Sequence, residues 1–224
     1  MNIIKRNKLR RGGFAGLRET RLVMDPRVFR DRKEAGTSAG IGRFVYLADA
    51  SFLPHGDTRM HAHHEVDVIS IMIDGRIQHE GSLENGQELA PGDIQVQRAG
   101  GEGFSHNEIN PDNSKNRMIQ LWVLPETPGE PAGYQVFKIQ GNGRTRVYGG
   151  PADQEETFAA RTVIEIGNLA AGESVTQPGR SLAYVTSGEG ICGDEVVTEG
   201  DLVETRDFNF KAKADSKLIL AYEL

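Results

Sequence analysis

Glycine and proline punctuate this chain so densely that no long helix or uninterrupted domain-length element can run through it. There are 27 glycines and 9 prolines in 224 residues. Between them lie short β-branched or alternating segments: Arg43–Ala48, Val66–Ile73, Asp93–Arg98 and Met118–Leu124, then Tyr134–Ile139, Arg161–Ile166, Ser181–Val185, Asp201–Thr205 and Lys217–Tyr222. Short strands joined by tight turns need residues that tolerate left-handed or fixed backbone angles, so the spacing predicts an all-β sandwich or barrel. The length allows one large β domain or two of about 110 residues each.

The two parts of the chain repeat each other's punctuation. IMIDGRI followed by ENGQELAPGDIQVQ in the first corresponds to AYVTSGEGI followed by DEVVTEGDLVET in the second. Gly75 aligns with Gly188, and Pro91-Gly92-Asp93 with Glu199-Gly200-Asp201. A hairpin glycine, then a Gly-Asp turn into a buried strand, is one supersecondary unit used twice. Pro125–Gly133 (PETPGEPAG) has no periodic apolar pattern and reads as a linker. The expected division is a first domain over 1–124, a linker over 125–133 and a second domain over 134–224.

All six histidines lie between His55 and His106. His61 and His63 are two apart, as are His106 and Glu108. On a strand, residues i and i+2 share a face, so each pair can aim both side chains at one point. Three imidazoles and a carboxylate suit Fe(II), Mn(II), Ni(II), Cu(II) or Zn(II), and on a six-coordinate ion they leave two positions for water, oxygen or substrate. His61, His63, His106 and Glu108 are therefore the expected metal ligands. Exposed strand-end histidines are the alternative, weakened by there being two such pairs. Asp67 and Glu65 share the parity of His63 and are expected to face inward, Asp67 holding a ligand histidine. His79 and Phe104 are candidate pocket residues, His79 balanced against an exposed position and Phe104 against the core. His64 and His55 read as solvated or loop histidines, and Trp122 as core.

These motifs resemble those of the pirin family, which is bicupin. Where pirins carry HPHRGFET, this chain reads HAHHEVDV, followed by DGRIQHEGS, PGDIQVQ, AGGEGFSHNE and IQLWV. The resemblance covers about half the chain, in order. It implies two antiparallel cupin (jelly-roll) barrels, with His61, His63, His106 and Glu108 on the metal-ligand positions and Fe(II) as the usual ion. It also implies a quercetin 2,3-dioxygenase-like oxidoreductase acting on a flavonol or polyphenol with O2, Glu108 being ligand and catalytic base. An iron-dependent redox-sensing protein that docks a transcription factor or metabolic enzyme is the rival reading. The Arg-Gly-Phe of pirins is His64-Glu65-Val66 here, followed by Asp67, so the pocket beside the metal differs. Stepping fourteen residues back from Gly188, as from Gly75 to His61, reaches Ser174 and then Thr176. The second barrel is expected to hold no metal.

A net charge of -6 disfavours direct nucleic-acid binding. Lys5, Arg6, Lys8, Arg10 and Arg11 form a local basic exception, expected to be a solvated, partly mobile terminus in preference to a phosphate-binding arm. No apolar run follows them, so no secretory signal is expected, and no segment is long enough to cross a bilayer. Cys192 is the only cysteine, which excludes an intramolecular disulfide and fits a cytoplasmic, reducing compartment.

Overall fold

A computed structural model describes all 224 residues. The chain is nearly all β, with one short helix and two single 3-10 turns at Arg6–Lys8 and Arg30–Arg32. Its first part runs β1 (Asn2–Lys5), β2 (Arg11–Gly12), β3 (Leu17–Met24), α1 (Pro26–Phe29), β4 (Phe44–Phe52), β5 (His61–His63), β6 (Asp67–Asp74), β7 (Ile77–Gly81), β8 (Gln87–Leu89), β9 (Asp93–Arg98), β10 (Phe104–Ile109) and β11 (Arg117–Val123). The second runs β12 (Gly133–Lys138), β13 (Gly143–Gly150), β14 (Ala160–Leu169), β15 (Ser174–Ser187), β16 (Glu189–Cys192), β17 (Glu195–Thr198), β18 (Asp201–Ala212) and β19 (Ser216–Glu223).

The repeat seen in the punctuation is a repeat of topology. One sheet orders its strands β12-β9-β6-β11-β4-β3-β2; the other runs β13-β14-β19-β15-β18-β16-β17, with β1 paired to β18. Read from β1, the second gives β1-β18-β15-β19-β14-β13, the counterpart of β12-β9-β6-β11-β4-β3. The outer strands are exchanged: β1 opens the first part yet pairs with the second, while β12 opens the second part yet pairs with β9 of the first. The aligned glycines take the same left-handed backbone, with φ of 69° at Gly75 and 83° at Gly188. A Cβ would strike Asn116 at the first and Ser216 at the second, so glycine is required at both turns. The basic N-terminal segment is not a loose tail. Asn2–Lys5 is hydrogen-bonded in register to Asp201–Glu204.

The first large sheet is buried on both faces, with a period of two. Ile69 and Ile71 of β6, Ile94 and Val96 of β9, and Ile119, Leu121 and Val123 of β11 enter a 23-residue core that also holds Tyr148, Ile164, Leu182 and Ile219 of the second half. That core joins the halves. The intervening residues face a smaller four-stranded sheet, ordered β5-β10-β7-β8. Met72 and Met118 pack there with Phe52 and Ile77, while Ser70, Gln95, Gln97 and Gln120 bring polar groups to the same face. The interior of the second half is by contrast apolar, a 12-residue cluster including Val175, Cys192, Phe208 and Phe210.

One polar network pins the halves together at the edge of this core. Asp49, buried on β4, accepts from Arg117 Nη2 at 2.6 Å, from the Tyr184 hydroxyl at 2.5 Å and from Arg6. Burial raises the cost of its charge, but the hydrogen bonds and charges of Arg117, Tyr184 and Arg6 together hold the Asp49 carboxyl below its usual range. Removing it leaves two arginines without their shared partner. Asp49→Ala is expected to cost about 3 kcal/mol in urea denaturation, and Tyr184→Phe, which removes one neutral donor, about 1 kcal/mol.

Candidate metal centre

The histidines reach one point because two strands of the small sheet are in register. β5 and β10 pair antiparallel with His106 opposite His61 and Phe104 opposite His63. Cross-strand neighbours and their i,i+2 partners share one face, which gathers three imidazoles. His106 Nε2 lies 3.1 Å from His61 Nε2 and 3.2 Å from His63 Nε2. His63 and His106 are buried, and His61 stands at the mouth.

This geometry fits a divalent ion. An ion bonded at about 2.1 Å separates two nitrogens by roughly 3.0 Å at right angles and roughly 3.4 Å at the tetrahedral angle. The observed separations fall between. The hydrogen-bond accounting agrees: His61 Nδ1 donates to the Arg59 carbonyl at 2.9 Å, which leaves its Nε2 as a lone pair. His106 Nε2 can donate to His61 or accept from His63, but not both. The three nitrogens cannot all be satisfied by hydrogen bonds to one another, whereas a cation accepts a lone pair from each. Burial, reinforced by the neighbouring imidazoles, depresses His106 to about 2 and His63 to about 4, so both are neutral and ready to bind a metal.

The structure brings together three of the four expected ligands. His61, His63 and His106 place their nitrogens within 4.8 Å of one another, a group that does not include the Glu108 carboxylate. Glu108 shares the face of His106, but its oxygens are held from the facing sheet, by the Ser70 hydroxyl at 2.8 Å and Gln120 Nε2 at 3.1 Å. Full burial outweighs those two bonds and pushes the Glu108 carboxyl up to about 7.

Phe104 lies edge-on to His106, with ring centroids 5.2 Å apart, and also contacts His63. His79, opposite Glu108 across β7–β10, is fully buried with its ring 5.5 Å from that of His106. Both its ring nitrogens lack a partner, and burial takes it to about 4. Asp67 is a correction. It faces the second half, where the Tyr148 hydroxyl donates to it at 2.7 Å, and burial raises it to about 6 despite that bond. Parity counted from His63 fails because the strand breaks: Glu65 has φ of 51° and a new strand starts at Asp67. Glu65 instead accepts from the Gly129 amide, His64 pairs with the Gly101 carbonyl and His55 with Asn113.

Trp122 is more than core. With Tyr46 (ring centroids 4.4 Å apart) and Phe29 it walls a cavity of about 370 Å³ that opens onto His61 and His63. Its indole N–H is buried without a partner. Tyr46 donates to the buried Glu19 at 2.7 Å at the same wall. Ser70 and Gln120 were also missed by sequence reasoning. Their polarity at even positions between apolar odd ones was the signal available.

A protein of Zymomonas mobilis, provisionally named a quercetin 2,3-dioxygenase, is 30% identical over 185 residues, 77% of this chain and 78% of that protein. The chain belongs to the pirin family. The family model for pirin matches residues 26–123, which contain every histidine. The quercetin 2,3-dioxygenase of Escherichia coli is 28% identical over 76 residues, about a third of each pirin. In three dimensions the chain is similar to the E. coli bacterial pirin YhhW in complex with nickel(II), with a TM-score of 0.83 at 17% identity, covering 98% of this chain and 97% of that one.

Two outcomes follow for this pirin. His106→Ala is expected to weaken Ni(II) binding about 100-fold or more by calorimetry, with the circular dichroism spectrum unchanged. The metal-free protein is expected to lose stability as the pH falls from about 6.5 to about 4.5. There the unfolded chain takes up protons at His63, His79 and His106 that the folded chain refuses, whereas the raised carboxyls of Glu108 and Asp67 act in the opposite sense. Three imidazoles outnumber two carboxyls, so acid destabilises. His79→Leu should flatten the slope in denaturation midpoints across that window.

Proposed function

We propose that this pirin is a metal-dependent dioxygenase that opens the ring of a flavonol or related polyphenol. The convergence of three imidazoles beside an aromatic-walled cavity carries the reading. The quercetin 2,3-dioxygenase names of its relatives and the nickel(II) bound to a structural neighbour support it. Iron(II) is the ion we assign, with Mn(II), Ni(II), Cu(II) and Zn(II) as competitors for the same donors. Glu108 is proposed as fourth ligand and base, and the chain as two cupin units, 1–124 and 134–224 around a linker, that trade their outer strands. A reducing, cytoplasm-like setting suits the one buried cysteine, and no helix is long and apolar enough to cross a membrane.

A bound divalent ion would polarise the substrate's enolic oxygen and supply redox chemistry toward O2. The chain's own residues do the rest. Phe29, Tyr46 and Trp122 offer a flat apolar wall for an aromatic ring. Glu108 is the buried carboxylate in place to take the hydroxyl proton, with Ser70 and Gln120 orienting and stabilising it before the transfer. Phe104 and the buried side of His106 keep bulk water from that proton.

Quercetin consumption under oxygen by Fe(II)-loaded protein is the test. Turnover is expected, with Glu108→Gln reducing kcat about 100-fold while metal content holds, in the range usual for a lost general base. Loaded wild-type protein inert toward quercetin and a panel of flavonols and catechols would refute the reading.

A further inference from the structure

The basic N-terminal run has no part in the histidine site, yet the fold spends two strands on placing it. β1 anchors Arg6 against the second half, and β2 sets Arg11 opposite Thr20 on β3. On the next strand Thr20 pairs with Asp49 and Arg18 with Ser51. Residues two apart on these strands share a face, so Arg18, Thr20, Asp49 and Ser51 line one surface. Lys115 and Arg117 close it from the start of β11.

The result is a cleft of about 570 Å³ at the junction of the halves, only two of whose fourteen lining residues are apolar. It holds five cations (Arg6, Arg11, Arg18, Lys115 and Arg117) against the carboxylates Asp49, Asp74 and Glu199. On a chain of net charge -6, a local excess of two positive charges runs against the overall field. The pairing inside the cleft is uneven. Asp49 is locked to Arg6 and Arg117 in the core. Glu199, with its side chain 44% exposed, merely lies across the same two guanidiniums, at 3.2 Å from Arg6 and 2.9 Å from Arg117. Arg11 and Lys115 are exposed and make no ion pair, and Arg18 donates only to the carbonyls of Ala15 and Leu17.

We infer that this cleft binds a compact multivalent oxyanion, the phosphate groups of a small molecule or a polycarboxylate. The ligand displaces Glu199 and is held by the outer forks of Arg6 and Arg117 together with Arg11, Arg18 and Lys115. Several guanidiniums around one pocket favour polydentate oxyanions over a single carboxylate, and the Thr20 and Ser51 hydroxyls add uncharged donors. A cleft of this size on an acidic chain suits a small anion better than a nucleic-acid strand. The site stands whether or not the histidines are catalytic.

Calorimetry on the full chain tests it, with pyrophosphate as the phosphate probe and citrate as the polycarboxylate, at constant ionic strength because exposed charges are screened. A submillimolar Kd for one of the two is expected, and which one identifies the source. Arg18→Ala/Lys115→Ala, and separately Arg11→Ala, should each weaken it tenfold or more, and Glu199→Gln should tighten it severalfold. His106→Ala should leave it unchanged, which separates the cleft from any metal-bound anion. No heat from either probe up to 10 mM, affinity unaltered in both cation variants, or loss of binding in His106→Ala would overturn the proposal.

Discussion

The central strands of the first large sheet have no solvent face, and that constraint organises the molecule. A strand buried on both sides must satisfy two environments with one alternating sequence. Ile69, Ile71, Ile94, Val96, Ile119 and Leu121 commit alternate positions of β6, β9 and β11 to the core shared with the second half. The positions between them are thereby assigned to the small sheet, and there the chain places Ser70, Gln95, Gln97 and Gln120 among its apolar residues. A slip of one residue in β6 or β11 would drive those amides into the apolar core and isoleucines into the site. Register and site are the same constraint.

The polar half-interior is costly, and its hydrogen bonds offset only part of that cost. Glu108 is the deepest charge-capable group, held by a hydroxyl and an amide from the opposite sheet and by no cation. Its carboxyl rises because burial outweighs two neutral hydrogen bonds. Asp49 is the contrasting case, a buried carboxylate kept charged by guanidiniums. One is suited to proton transfer, the other to fastening the halves. The unpartnered nitrogens of His79 and the Nδ1 of His106 lie on the first kind of surface, beside the site, and the apolar interior of the second half has no counterpart to them.

Much of this was legible in the primary structure. Two i,i+2 pairs around a Gly-Asp turn point to a shared ligand set because strand geometry is local, and the three histidines do meet. The aligned Gly75 and Gly188 announced a repeated unit because each turn demands a left-handed backbone. Asp67 misled for an equally physical reason: counting parity from His63 assumes one continuous strand, and the left-handed Glu65 interrupts it. Trp122 misled because an aromatic in an apolar strand packs on a core whether or not a cavity adjoins it.

The sequence by itself determined the β class, the repeat, the position of the histidines and the absence of histidine from the second half, since these rest on local backbone rules and on which residues are present. Tertiary structure decided the rest. It fixed which strand each basic residue sits beside, the exchange of β1 and β12 between the sheets, and the holding of Glu108 by residues 38 and 12 positions away. It also set the N-terminal arginines around Asp49, 43 residues on from Arg6. Those pairings depend on how two sheets stack, which no local spacing encodes, because the free energy that selects them comes from apolar surface buried between segments far apart in the chain.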